Sequence, residues 1–154
     1  MREHRRTIKK DELLEKVVDL RRVARVTAGG KRFRFRATVV VGDGKGRVGV
    51  GMGKGIDVVG AIEKAKNHAK KNMITIRMKN RTIPHEVYAK FSAAKVILKP
   101  AIQGHGLIAG GAPRVVLLMA GIKDITAKCL GKTSNKLTNA LATIKALEKI
   151  KASK

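Results

Sequence analysis

Apolar and basic positions alternate most sharply between residues 32 and 41, RFRFRATVVV. A side-chain period of two there sets Arg32, Arg34 and Arg36 on one face of a strand and Phe33, Phe35, Ala37, Val39 and Val41 on the other. One face reads as core and the other as cationic. Upstream, residues 17–27 (VVDLRRVARVT) mix β-branched and basic positions, and Ala28-Gly29-Gly30-Lys31 supplies a turn, so the two stretches form a hairpin. Gly42-Asp43-Gly44-Lys45-Gly46 is a second turn cluster. It leads into RVGVGMG, a third strand on which Gly49, Gly51 and Gly53 face one way and let another backbone come close. From Asp57 the period lengthens. Val58, Ala61, Ile62, Ala65, Ala69 and Met73 recur at helical spacing behind Asp57 as N-cap, and Lys64, Lys66, His68, Lys70 and Lys71 lie mostly off that stripe. Strand-like TIRM closes the unit.

Lys79-Asn80-Arg81 is the natural connection to a second unit, because all three prolines, Pro84, Pro100 and Pro113, lie beyond it. The domain boundary is placed near residue 80. Residues 85–91 and 95–99 read as strands joined by Ser92-Ala93-Ala94 in hairpin order. Gly104-His105-Gly106 and Gly110-Gly111 then precede a short helix over 113–120, with proline in its first turn and Gly121 just past its end. Residues 122–127 suit a crossover strand. Ser134 or Asn135 can cap a last helix whose Leu137, Leu141, Ile144, Leu147 and Ile150 form an apolar stripe.

The whole chain has 154 residues, enough for one or two compact domains, and a 44% hydrophobic content able to fill a core. Charge changes the picture most. Thirty-five Lys and Arg against 11 Asp and Glu leave a net +24, a field that asks for a polyanionic partner. Residues 1–19 hold six bases and five acids, so the excess falls on the rest of the chain; 20–42 and 87–123 contain no acid at all. Nothing in those stretches can screen an approaching phosphate. The longest apolar stretches, such as 115–122, fall well short of the roughly 18 to 20 residues that cross a bilayer, so no membrane association is expected. The charged start, MREHRRTIKKDELLEK, lacks the apolar centre of a signal peptide, which favours a cytoplasmic location. One cysteine, Cys129, excludes an internal disulfide framework.

Catalytic and cofactor motifs fail on context. Gly44-Lys45-Gly46-Arg47-Val48-Gly49 has the G-x-G-x-x-G spacing, but it precedes a strand where a dinucleotide site needs a helix. Gly131-Lys132-Thr133 imitates the end of a phosphate-binding loop, yet the position of its first glycine is Thr126. His4, His68, His85 and His105 are scattered singly, with no pair at metal-ligand spacing. The acids after residue 19 are too few to favour a nucleophilic triad, so no enzyme and no cofactor are expected. Cys129 reads as a small hydrophobe. Asp11, Glu12 and Glu15 look like the first turn of a solvated segment.

The arginine strand stands apart, since the arithmetic that buries Phe33 and Phe35 turns three guanidinium groups outward together, and the guanidinium fork suits phosphate. Base stacking on Phe33 and Phe35 is a rival reading, set aside because the core needs both rings in a chain with four aromatic residues. Recognition of a structured RNA by shape and backbone fits better. The RNA-contact candidates are Arg21, Arg22, Arg25, Gly29, Gly30, Lys31, Arg32, Arg34, Arg36, Lys45, Arg47, Lys54, Lys70 and Lys71.

The order of motifs resembles the bacterial-type small-subunit ribosomal protein five family over nearly the whole chain. The residues that carry the resemblance are AGGKRFRFRATVVVGDGKGRVGVGMGKG (28–55), AIEKAKNHAKKNM (61–73), TIPHEV (82–87), LKPA (98–101) and GLIAGGAPRVVLLMAGIKDITAK (106–128). The resemblance implies an α+β fold of two small domains. Residues 1–10 would be a basic tail, 11–80 a sheet and helix similar to a double-stranded-RNA-binding domain, and 81–154 a βαβ-containing domain with a left-handed crossover. It also implies a structural constituent of the small ribosomal subunit, not a homo-oligomer, that binds 16S ribosomal RNA, supports subunit assembly and contributes to translational accuracy. The implied neighbours are small-subunit proteins four and eight, and messenger RNA near the channel by which it enters the subunit. Residues 25–31 are similar to the family's extended RNA-reaching hairpin. Gly106 and Arg114 match the segment near the contact with protein four. The family's Asn-Pro-x-Asn reads Asn135-Lys136-Leu137-Thr138, His105 replaces a small hydroxyl residue, and Leu118 stands where an acid is usual. Composition by itself equally allows a free-standing structured-RNA or nucleoid-binding protein acting off the ribosome.

Overall fold

The computed structural model describes residues 13–150, so the basic tail at 1–10 lies outside the described residues. β1 (Leu14–Thr27) and β2 (Gly30–Gly42) form a long antiparallel hairpin, to which β3 (Arg47–Gly55) adds on the far side of β2. α1 (Val58–Lys71) follows, and β4 (Met73–Thr75) completes a four-stranded sheet in the order β1-β2-β3-β4. Met73 therefore belongs to a strand and not to the helical stripe. Glu15 likewise lies within β1, opposite Val41, and ion-pairs with Lys66 of α1 instead of opening a solvated turn.

Glycine sets how α1 lies on this sheet. A Cβ at Gly49, Gly51 or Gly53 would stand 2.2–2.4 Å from the carbonyl oxygens of Ala69, Ala65 or Ala61, so only hydrogen fits between strand and helix. The Asp57 side chain caps α1 by accepting from the Val59 N–H at 3.3 Å. Ala37, Val39 and Val41 of β2 pack on Ala61, Ala65 and Ala69 as one small core.

The opposite face of the same strands is buried too, at one end only. Thr38 and Val40, which share the side of Arg32, Arg34 and Arg36, are sealed from solvent, and Val40, Val48 and Val50 join a larger core built with the second half of the chain. The cationic face is thus confined to the hairpin's outer half. Phe33 is not core: it is 50% exposed, because β3 ends at Gly55 opposite Phe35 and, among the described residues, no strand or helix extends beside the position beyond.

The second sheet runs β5-β6-β8-β7, from β5 (Val87–Phe91), β6 (Ala94–Pro100), β7 (Leu107–Ile108) and β8 (Ile125–Cys129); β7 lies parallel to β8 and the other pairs are antiparallel. α2 (Gly111–Ala120) links β7 to β8, and Gly121 ends it in the left-handed conformation at φ +84°. Strand β8 starts later than residue 122 because the stretch before it is held otherwise. The backbone N–H groups of Lys123 and Asp124 donate to the Arg81 carbonyl at 3.0 and 3.1 Å, and the Asp124 carboxylate accepts from Gly104 and Gly106 at 3.2 and 2.9 Å. α3 (Lys136–Glu148) is capped by Asn135, which accepts from the Leu137 N–H at 3.1 Å. Its buried side is broader than the leucine stripe, with Ala140 and Thr143 fully enclosed, because α3 packs on β5 and β6 and also on α2.

Candidate RNA interface

Strand register assembles the cationic face. Arg21 stands opposite Arg36, Arg25 opposite Arg32, and Arg36 opposite Lys54 of β3, with Arg34 between them opposite Val23. Directly opposed like charges destabilise a sheet, so this arrangement is costly until an anion lies across it. Arg21 ion-pairs with Asp19 at 2.7 Å; among the described residues Arg25, Arg32, Arg34, Arg36 and Lys54 have no acidic partner. Arg25, Arg32, Arg34 and Lys54 line a shallow groove of about 280 Å³ with Val23 and Ala24. Strand pairing sets five of these charges in one array before a polyanion arrives, so binding has only their side chains left to order.

At the arm's tip, Thr27 Oγ1 donates to the Gly30 carbonyl at 3.0 Å. Gly30 takes φ +133°, a conformation that suits glycine. Gly29 has open space where a Cβ would be, and Lys31 is exposed beside it. The tip can therefore bring backbone N–H groups close to a phosphate.

Other candidates fall elsewhere. Arg22 lies on the reverse of the hairpin, its guanidinium 4.7 Å from the centroid of the Phe33 ring. Lys45 and Arg47 sit in and after the β2–β3 turn, at the opposite end of β3 from Lys54. There Asp43 accepts from the Lys45 and Arg47 backbone N–H groups at 2.8 and 2.9 Å and from Arg47 Nε at 2.7 Å. Burial pushes the Asp43 carboxyl up, but the hydrogen bonds from Arg47 and Lys45 outweigh it and hold the group below the usual carboxylate range. Lys70 and Lys71 end α1, on the other side of the sheet from the arginines. Gly106, at φ +79°, is tied to Asp124, and Arg114 projects from α2 at the rim of an open groove beside β7 and β8. Gly110 is the N-cap of α2 and Gly111 its first residue, a helix-entry role. Cys129 lines that groove and packs on the core; burial pushes its thiol pKa up, against the pull of Lys128.

Among the described residues no group of three or more His, Cys, Asp and Glu could hold a metal ion, and no helix is long and apolar enough to cross a membrane. What the sequence left unseen is the exposed Phe33 and Arg22 pair. The signal was the length of the third strand, whose nine residues cannot cover a second strand of 13.

Residues 13–77 match the family described as ribosomal protein S5, N-terminal domain, and residues 89–154 match ribosomal protein S5, C-terminal domain. The chain belongs to the ribosomal protein S5 family. It is therefore a structural, non-enzymatic component of the small ribosomal subunit that binds ribosomal RNA. The observed α+β architecture, a sheet-and-helix unit followed by a sheet with two helices, is the one that this family's two domains describe.

Proposed function

We propose that the chain binds 16S ribosomal RNA through the outer half of the β1–β2 hairpin, with Arg25, Arg32, Arg34, Arg36 and Lys54 on phosphates and Gly29, Gly30 and Lys31 at the tip. Arg21 adds to this face, and Lys45, Arg47, Lys70 and Lys71 meet RNA on other sides of the first unit. The observation that carries this reading is the set of opposed, acid-free cations along three paired strands. Domains of 11–80 and 81–154, both basic, let the chain hold separate RNA helices in one arrangement, which supports subunit assembly. Gly106 and Arg114 face small-subunit protein four, protein eight is a second neighbour, and messenger RNA passes close by, so the chain contributes to translational accuracy. The ribosome concerned is the cytoplasmic one, with an organellar ribosome of the bacterial type as the alternative.

The test is binding to a labelled 16S ribosomal RNA fragment across a series of salt concentrations. About eight phosphate contacts give a log–log slope of roughly −6 to −7. Changing Arg32, Arg34 and Arg36 together to Gln should flatten that slope by about 2 to 3 and, because it removes opposed like charges, leave the urea midpoint of the free protein no lower than the native one. A slope near zero for the native chain, or an unaltered slope for the variant, overturns the assignment.

A further inference from the structure

The hairpin arm has a second usable side. Among the described residues the only partner of β2 past Phe35 is β1, so residues 30–34 and their partners 23–27 stand out as a two-stranded ribbon, about 16 Å long at the usual rise per residue. One side of that ribbon is the arginine face. The other carries Phe33 and Lys31 from β2 and Ala24 and Val26 from β1, with Arg22 at its base. Phe33 is 50% exposed and Val26 74%. A two-stranded ribbon is marginally stable by itself, and leaving an aromatic ring half in water adds nothing to it. The ring is nevertheless organised, with the Arg22 guanidinium 4.7 Å from its centroid.

An aromatic face beside a held guanidinium, flanked by a lysine and backed by a row of arginines, matches the two needs of an unpaired nucleotide. The base stacks on a π-face or on the guanidinium plane, and the phosphates meet cations. We propose that Phe33 and Arg22 form a stacking platform for an unpaired nucleobase of ribosomal RNA, so that the arm grips its RNA from both sides. This rests on the RNA-binding reading above and adds to it a base contact on the opposite side of the ribbon. An apolar protein surface could also cover Phe33, but it would leave Arg22 and Lys31, which share that side of the ribbon, without an anion.

Stacking and phosphate contact leave different traces, because a stacked base releases no counterions. Removing the ring lowers affinity equally at every salt concentration, whereas removing a phosphate contact changes the slope by about 0.7 to 0.9. The experiment uses the full chain and a labelled 16S ribosomal RNA fragment. Phe33→Leu should weaken binding roughly 5- to 100-fold with the salt slope unchanged. The native chain has no tryptophan, so Phe33→Trp introduces a single indole at the platform. That variant should bind like the native chain, and its emission should be strongly quenched as RNA saturates it. The proposal is overturned if Phe33→Leu binds as tightly as the native chain, if its loss comes with a flattened slope, or if the indole stays bright on fully bound RNA. Should the native chain itself show no salt-dependent RNA binding, the function proposed above falls and the platform with it; bound RNA with an unquenched indole removes the platform alone.

Discussion

The carbonyl oxygen of Gly44 lies 2.0 Å from where a Cβ on Gly121 would be. The β2–β3 turn is seated on the end of α2, and the Gly44 and Gly46 N–H groups donate to the Met119 and Ala120 carbonyls at 3.0 and 2.9 Å. Helix carbonyls that would otherwise lack partners thus join the first sheet to the second unit. Gly121 also needs φ +84° to end the helix there. Gly121→Ala should therefore cost roughly 2–4 kcal/mol, from a steric clash added to a strained backbone. Urea unfolding of the variant checks this, and an unchanged midpoint would mean that the seam tolerates displacement of the turn.

The same turn carries a pH dependence whose sign follows from Asp43. Its carboxyl is held low by hydrogen bonds from Arg47 and Lys45 that exceed the opposing effect of burial. A carboxyl with a lowered folded pKa contributes stability that is complete above its unfolded value and is lost as pH falls through the folded value. Asp43→Asn should cost about 1–2 kcal/mol at neutral pH. The gap between native and variant should narrow as unfolding is followed below about pH 4, where the native carboxyl also takes up its proton. A gap that persists unchanged at pH 2 would remove the ionised carboxylate as its cause.

Local features were legible in the sequence and distant ones were not. Asp57 and Asn135 cap the helices assigned to them, and Gly121 ends α2, because a cap depends on residues within one turn. The glycine row of β3 also read correctly, since a period of two places Gly49, Gly51 and Gly53 on one side whatever covers it. Thr38 and Val40 continue the arginine side by period, yet they are buried by α2 and elements about 75 or more residues away in sequence, and no local pattern announces that. Phe33 failed for a related reason: periodicity assigns a face but does not say where the neighbouring strand stops. Two-residue β7 is too short to have a period. At the candidate interface, alternation gathered Arg32, Arg34 and Arg36 on one face, while register was needed to add Arg21, Arg25 and Lys54 to it and to separate Lys70 and Lys71 from it.

Two glycines of the first unit should respond very unequally to the same substitution. A Cβ at Gly51 would stand 2.2 Å from the Ala65 carbonyl oxygen and 2.4 Å from the Ala69 nitrogen, so Gly51→Ala must push α1 off β3. A loss of about 3 kcal/mol or more is expected in urea unfolding. At Gly29 nothing lies within 4 Å, and Gly29→Ala should change stability by less than about 0.5 kcal/mol. If the tip meets RNA through its backbone, that silent variant will still bind ribosomal RNA more weakly, which separates a contact residue from a folding residue.

Asp124 is 2% exposed and serves as a latch between segments far apart in the chain. Its Oδ1 accepts from both Gly104 and Gly106, its Oδ2 faces Arg81 Nε at 3.3 Å, and its own N–H donates to the Arg81 carbonyl. Asp124→Ala would leave two N–H groups without an acceptor and one guanidinium without its carboxylate, for a loss of roughly 2–4 kcal/mol. Asp124→Asn keeps a carbonyl acceptor for the glycines and should lose less. Amide hydrogen exchange tells a local latch from a general support. In Asp124→Ala the amides of Gly104 and Gly106 should exchange much faster while those of α3 keep their protection relative to global unfolding; equal acceleration everywhere would mean that Asp124 secures the whole second unit and not the loop that leads through Gly106 to Arg114.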